Sequence, residues 1–196
     1  MIDIHCHLLP GVDDGVKEIN EAINILKEGV KHGVKKYIIT PHYRPTKEYV
    51  VSTAILESKM AELRAELKKH KVDVELFLGR EIDEAKELKT LLEDQVVCTM
   101  NNSKYLLVDF GVNKSKMSDY IYEAKLLGYV IIVAHVERYK YIEGYTCFNR
   151  LKKEGALLQV NASSIVSPRN GRMKKRIKYL FKNKLIIYYF FVNNKN

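Results

Sequence analysis

Short β-branched and aliphatic runs alternate with longer helical patterns along almost the whole chain, and this alternation limits the fold more than any other feature. Residues 1–7 read as a strand. Residues 17–33 read as a helix, with apolar positions at Ile19, Ala22, Ile23, Leu26 and Val30 and a glycine at its end. Residues 36–40 form a strand, 46–71 a long charged helix, 74–78 a strand and 83–93 a helical stretch. Further strands fall at 105–110, 130–134 and 157–161, with helices at 115–127 and 145–153. A basic helix over 172–183 and a last apolar run over 185–192 complete the pattern; eight apolar residues predict a buried strand. Repeated β–α units of this kind require a parallel sheet, either open or closed into a barrel. No linker, repeat or low-complexity stretch interrupts it, so residues 1–196 are expected to form one domain.

Composition narrows the class. Hydrophobic residues make up 46% of 196 residues, with 10 glycines and 4 prolines, which excludes a disordered or fibrous chain. No apolar run approaches the roughly 20 residues of a membrane span, and no leader pattern precedes Ile2. Cys6, Cys98 and Cys147 are scattered and odd in number, arguing for a reducing compartment and against a disulfide framework or zinc ribbon. A cytoplasmic protein without membrane insertion is expected. The net charge of +9 is concentrated late, in Arg169, Arg172, Lys174, Lys175, Arg176, Lys178, Lys182 and Lys184. Met173, Ile177, Leu180 and Phe181 fall at helical spacing among them. That pattern predicts an amphipathic helix with a solvated basic back in preference to a nucleic-acid or membrane surface.

In parallel β/α architectures functional side chains collect at the C-terminal ends of strands. His5 and His7 close the first strand; two residues apart, their imidazoles share a face, as ligands of one metal cluster must. His42 follows the second strand, Glu81 the third, Asp109 ends the fourth and His135 the fifth, with Glu137 and Arg138 behind it. Each has an ordinary alternative: a loop histidine, a carboxylate at a helix start, a turn residue, a hydrogen-bonded core imidazole. Five successive strands delivering a His or a carboxylate at the same end point instead to a hydrolytic metal site of several ions. Ligands without thiolates suit manganese, iron or zinc. His32 and His70, placed within helices, lie outside the pattern, and Cys6 should face away from its flanking histidines into the core.

These residues resemble the polymerase and histidinol phosphatase (PHP) superfamily. The likeness is carried by His5-x-His7, Asp13-Asp14-Gly15, Thr40-Pro41-His42, Gly79-Arg80-Glu81-Ile82 and Ala134-His135-Val136-Glu137-Arg138. More narrowly, residues 1–10 and Ala-His-x-Glu-Arg are similar to its bacterial tyrosine phosphatases of capsule and exopolysaccharide synthesis. The resemblance implies a distorted (β/α)7 TIM-like barrel and a multinuclear site favouring manganese. By motif position it implies metal ligation by His5, His7, Asp14, His42, Glu81, Asp109 and His135, with Glu81 bridging. Arg138 would bind phosphate, and Arg44, two residues after His42, is a second candidate for that task. A water-derived nucleophile would attack phosphorus in line, with no cysteine nucleophile. The implied substrate is phosphotyrosine on a capsule-regulating tyrosine kinase, and association into homo-oligomers is expected on the same ground.

Two departures stand out. Asp109 occupies a position where the family has Glu, one methylene longer. No histidine follows His135, so the Asp-x-His that completes the family's site on the final strand has no counterpart, and the chain reads as a C-terminally truncated copy with an incomplete last segment. Two alternatives to the tyrosine phosphatase follow: a PHP phosphatase for a small phosphorylated metabolite, or an inactive remnant with at most a binding role.

Overall fold

The structure is a computed structural model that describes residues 1–83, 88–94, 96–111, 117–142 and 144–187. Strand β1 (Ile2–Cys6) leads into helix α1 (Ile19–Lys31), followed by β2 (Lys36–Ile39), β3 (His42–Tyr43) and α2 (Thr53–Lys69). Then come β4 (Glu75–Leu78), β5 (Glu81–Asp83), α3 (Leu88–Glu93), β6 (Tyr105–Asp109), α4 (Met117–Leu126) and β7 (Val130–Val133). Helix α5 (Thr146–Glu154), β8 (Leu157–Leu158), α6 (Ala162–Val166) and α7 (Gly171–Lys182) complete the chain described.

All the named strands pair in parallel, in the orders β1-β2-β4 and β3-β5-β6-β7-β8. The two sets are one continuous wall. Thr40-Pro41 separates β2 from β3, and Gly79-Arg80 separates β4 from β5; proline cannot donate to a ladder, so regular pairing lapses there. Ile39 pairs with Leu78 and His42 with Glu81 at the same sequence offset, so the register crosses the break unchanged. The Glu81 amide donates to the Pro41 carbonyl at 3.2 Å within the gap. Strand order therefore follows chain order, as in a barrel wall. Beyond β8, Ile186 bridges to Leu158 in parallel, and the Ile187 amide donates to the Leu158 carbonyl at 3.1 Å. This begins the last strand expected; residues 188–192 of it lie outside the described residues.

Period-two alternation sorts the wall into two faces. Ile4, Leu107, Ile132 and Ala134 meet inside with Met100, and Ile2, Ile38, Tyr105 and Leu157 pack against them. The alternate residues face the helices: Cys6, Tyr37, Ile39 and Leu76 toward α1 and α2, and Leu106, Val108, Ile131 and Val133 toward α4, α5 and α7. Cys6 packs on the outer face, as expected. No helix among the described residues is long and apolar enough to cross a membrane.

Four expectations change in detail. Helix α2 starts at Thr53, not near residue 46, because Pro45–Lys47 makes a single tight turn, Arg44 bridges to Tyr49, and Ser52 caps the helix by accepting from the Ile55 amide at 3.4 Å. His32 and His70 are exposed, but they are the C-caps of α1 and α2, not residues within them. Arg176 does not belong to a solvated basic back. It is 6% exposed and donates to the carbonyls of Glu137, Tyr139 and Ile142 at 3.3, 2.6 and 2.5 Å. Within the expected helix over 83–93, Asp83 closes β5, residues 84–87 lie outside the described residues, and regular helix runs over Leu88–Glu93.

Candidate metal centre

The strands deliver their polar ends to one cavity of about 210 Å³. His5 reaches it through a local irregularity. Ile2 and Asp3 pair with Lys36 and Tyr37, but Cys6 pairs with Ile39, so β1 holds one extra residue. That bulge resets the alternation: Ile2 and Ile4 point inward, and so do His5 and His7. Asp3, fully buried, accepts from the His5 amide at 3.0 Å and stabilises the irregular backbone. His42 and Glu81 arrive side by side through their shared register. His135 would follow Val133 to the outer face, but its left-handed backbone (φ 33°, ψ 51°) turns it back inward. The Gln159 side-chain oxygen accepts from its amide at 2.6 Å.

Glu81 is the hub. Its Oε2 lies 3.1 Å from His5 Nε2, 3.2 Å from His7 Nε2 and 3.2 Å from His42 Nδ1, and its Oε1 lies 2.8 Å from His135 Nε2. The contact with His42 Nδ1 is off the hydrogen-bond direction, so that buried nitrogen faces the carboxylate without donating to it. Three sets of donor atoms lie within 4.8 Å of one another: His5, His7 and Glu81; His7, Asp14 and His42; and Glu81, Asp109 and His135. The seven expected residues are thus brought together, with His7 and Glu81 each shared between two sets. Asp14, 54% exposed, is the outermost, 3.5 Å from His42 Nε2.

The donor chemistry fits divalent cations. His7 Nδ1 is held by Asp13 Oδ2 at 2.7 Å and His5 Nδ1 by the Gln159 oxygen at 3.3 Å. Both acceptors place the ring proton on Nδ1 and leave the Nε2 lone pairs aimed at Glu81, 3.3 Å from each other. Two lone pairs and a carboxylate converging on one point require a cation or protons between them. Without a metal, protons take that place. Burial opposes charge on His7, yet the hydrogen bonds with Asp13 and Glu81 push its pKa up to about 10. Burial likewise works against the Asp13 carboxylate, but His7 holds it down to about 2. Glu81 sits well below the usual carboxylate range despite full burial, because the imidazoles surround it. His135 is raised by Glu81 against its own burial, whereas burial, with His7 and Arg44 nearby, lowers His42 to about 4.

Arg138 and Arg44 both line the cavity, in different states. The Arg138 side chain is 33% exposed, and its Nε has no hydrogen-bond partner, with Glu137 Oε1 3.9 Å away. Arg44 is engaged: Nε meets Asp83 Oδ2 at 2.5 Å and Nη2 meets Asp109 Oδ2 at 2.8 Å. The supporting residues Asp3, Asp13, Asp83, Tyr139 and Gln159 carried no assigned role in the sequence. Of these, Asp13 stood in a motif beside Asp14, and Asp3 within the matching stretch of residues 1–10. Gly15 completes that motif for a steric reason, since a Cβ there would overlap the His7 carbonyl and Cβ.

A family model for capsular polysaccharide synthesis proteins, CpsB/CapC, matches residues 1–190. A putative tyrosine-protein phosphatase, CapC, from Staphylococcus aureus is 33% identical over 178 residues, covering 89% of this chain and 69% of the relative. The tyrosine-protein phosphatase YwqE of Bacillus subtilis is 29% identical over 84% of this chain and 66% of its own length. The fold aligns with a TM-score of 0.88 and 27% identity to a chain from the crystal structures of YwqE from Bacillus subtilis and CpsB from Streptococcus pneumoniae, described as unique metal-dependent tyrosine phosphatases. That alignment covers 97% of this chain and 77% of the other. The architecture is thus the distorted PHP-type barrel, and the strand-end histidines and carboxylates cluster in the manner of the multinuclear metal sites of PHP phosphatases. The chain belongs to the CpsB/CapC family and is, by that membership, a hydrolase: a metal-dependent phosphatase of the PHP type.

Proposed function

We propose that residues 1–196 act as one cytoplasmic phosphatase domain that uses manganese to hydrolyse phosphotyrosine on a tyrosine kinase regulating capsule or exopolysaccharide synthesis. The observation that carries this reading is the convergence of three donor sets on Glu81, with the Arg138 guanidinium lining the same cavity. His5, His7, Asp14, His42, Glu81, Asp109 and His135 would hold the ions. Bound there, divalent cations supply an acidified water and the positive charge that phosphoryl transfer needs.

The chain's own groups do the rest. Asp13 and Gln159 retain the Nδ1 protons of His7 and His5, keeping both Nε2 lone pairs available. Arg138 meets non-bridging phosphate oxygens with a planar donor fork and stabilises charge that grows as the ester bond breaks. Arg44, fixed by Asp83, orients the Asp109 carboxylate that it contacts. Hydrolysis of a phosphotyrosine peptide by the purified chain, with manganese and with a chelator, tests the reading. Expected is chelator-sensitive turnover abolished by His135→Ala. Folded, metal-supplemented protein with no turnover, or turnover indifferent to the chelator, would overturn it.

A further inference from the structure

Beside the metal centre lies a second, larger cavity of about 580 Å³, lined among others by Arg138, Lys140, Arg169, Arg172 and Arg176. It shares Asp109, His135 and Arg138 with the first, so the two adjoin. Arg176 is buried and spent on three carbonyls, which pins the loop carrying Arg138 and Lys140 against α7. Lys140, Arg169 and Arg172 are different. All three are exposed, and none has a carboxylate within 4 Å among the described residues. The acidic groups of the lining do not offset them: Asp109 is occupied by Arg44 and the Gly111 amide, and Glu137 is 1% exposed and packed inward. Burial first, and the neighbouring Arg172 second, disfavour the charge on Arg176.

From this juxtaposition we infer that the cavity is a subsite for acidic side chains flanking the phosphotyrosine, so that the substrate class is an acidic phosphopeptide. This rests on the phosphotyrosine reading above and adds where the remainder of the peptide lies. With the phosphate at the metal centre, Arg138 stands at the junction. A carboxylate a residue or two along the peptide then meets Arg169, Arg172 or Lys140. Exposed pairs of this kind contribute modestly each, and together they set affinity and encounter rate.

The test uses the whole chain and two fluorescent phosphotyrosine peptides of equal length, one flanked by Asp and Glu, the other by Ser and Gln. Binding is followed by anisotropy at low salt, with or without manganese, so the result does not depend on turnover. Expected is about tenfold tighter binding of the acidic peptide. That preference should be lost in Arg169→Glu/Arg172→Glu and in the milder Arg169→Gln/Arg172→Gln, while p-nitrophenyl phosphate hydrolysis is unchanged. Equal affinity for the two peptides, or a preference that survives both double variants, would overturn the subsite and leave the phosphatase reading intact. So would single-stranded RNA binding as tightly as the acidic peptide, which would mark an unspecific polyanion surface. Absent turnover with an intact acidic preference would overturn the phosphatase reading alone.

Discussion

Asp13 shows how much one buried carboxylate can organise. Its Oδ2 accepts from His7 Nδ1 at 2.7 Å and from the His42 amide at 2.9 Å, and its Oδ1 accepts from the Gly15 amide at 2.8 Å. Asp13→Asn can present an N–H to His7 and move the ring proton to Nε2, the atom facing Glu81. Metal affinity should fall about 10–100-fold, as for other orienting partners, read by manganese titration with electron paramagnetic resonance; unchanged affinity would refute the role. The pair also sets a pH dependence for chelated protein. His7 is raised from 6.5 to about 10, so its stabilisation is complete below pH 6.5 and fades as pH climbs toward 10. Asp13 is lowered from 3.8 to about 2, so its share is complete above 3.8 and is lost as pH falls toward 2. Metal at His7 must displace the proton, so apparent metal affinity should rise with pH between 6 and 8 with net proton release. Calorimetry in buffers of different ionisation enthalpy measures it. The motif Asp13-Asp14-Gly15 was visible in the sequence, but Asp13's role was not, because a carboxylate that orients a ligand and one that ligates have the same chemistry and adjacent positions.

At the level of elements, helix α1 rests on β2 through a contact with no room to spare. A Cβ on Gly29 would overlap the Tyr37 hydroxyl, which is buried and makes no hydrogen bond. Gly29→Ala should therefore destabilise by about 1–3 kcal/mol despite alanine's better helix propensity. Tyr37→Phe, which removes an unpartnered hydroxyl, should recover most of the loss in the double variant. Urea denaturation of the three proteins decides it, and additive effects would disprove the contact. A second element-scale prediction concerns α7. Arg176→Met leaves the carbonyls of Glu137, Tyr139 and Ile142 without their donor, and the loss should reach about 3 kcal/mol in the same measurement. Apolar periodicity identified α7 and its buried Met173, Ile177 and Leu180 correctly. It placed Arg176 in solvent because a period counts charge as polar and cannot register carbonyls on another segment facing the helix.

For the whole molecule, the barrel end gathers five buried titratable groups, His5, His42, Glu81, Asp109 and His135, around one cavity. Such crowding costs stability unless cations or protons neutralise it. Manganese at about 100 times its dissociation constant should add about 2.7 kcal/mol, which for a chain of this size raises Tm by roughly 5–10 °C. Thermal denaturation with manganese and with chelator measures the shift. Glu81→Gln, which removes the charge shared by two donor sets, should abolish most of it. A shift that persists in Glu81→Gln would place the stabilising ion elsewhere.

Sequence alone determined the parallel β/α order and the convergence of His5, His7, His42, Glu81, Asp109 and His135 on one end. These follow from local rules: hydrophobic period sets side-chain direction, and a parallel sheet sends every strand's end the same way. Tertiary structure alone decided the rest. The bulge that keeps His5 and His7 on the inner face after Ile4 exists only relative to the register of β2. His135 turns inward on a left-handed backbone whose amide is held by Gln159, far along the chain. Arg44 is bound to Asp83 and Asp109, while Lys140, Arg169 and Arg172 remain without carboxylate partners among the described residues. Which charges are neutralised, and which face a ligand, depends on distances between residues remote in sequence. Coulomb energy and desolvation are set by those distances, and no local period encodes them.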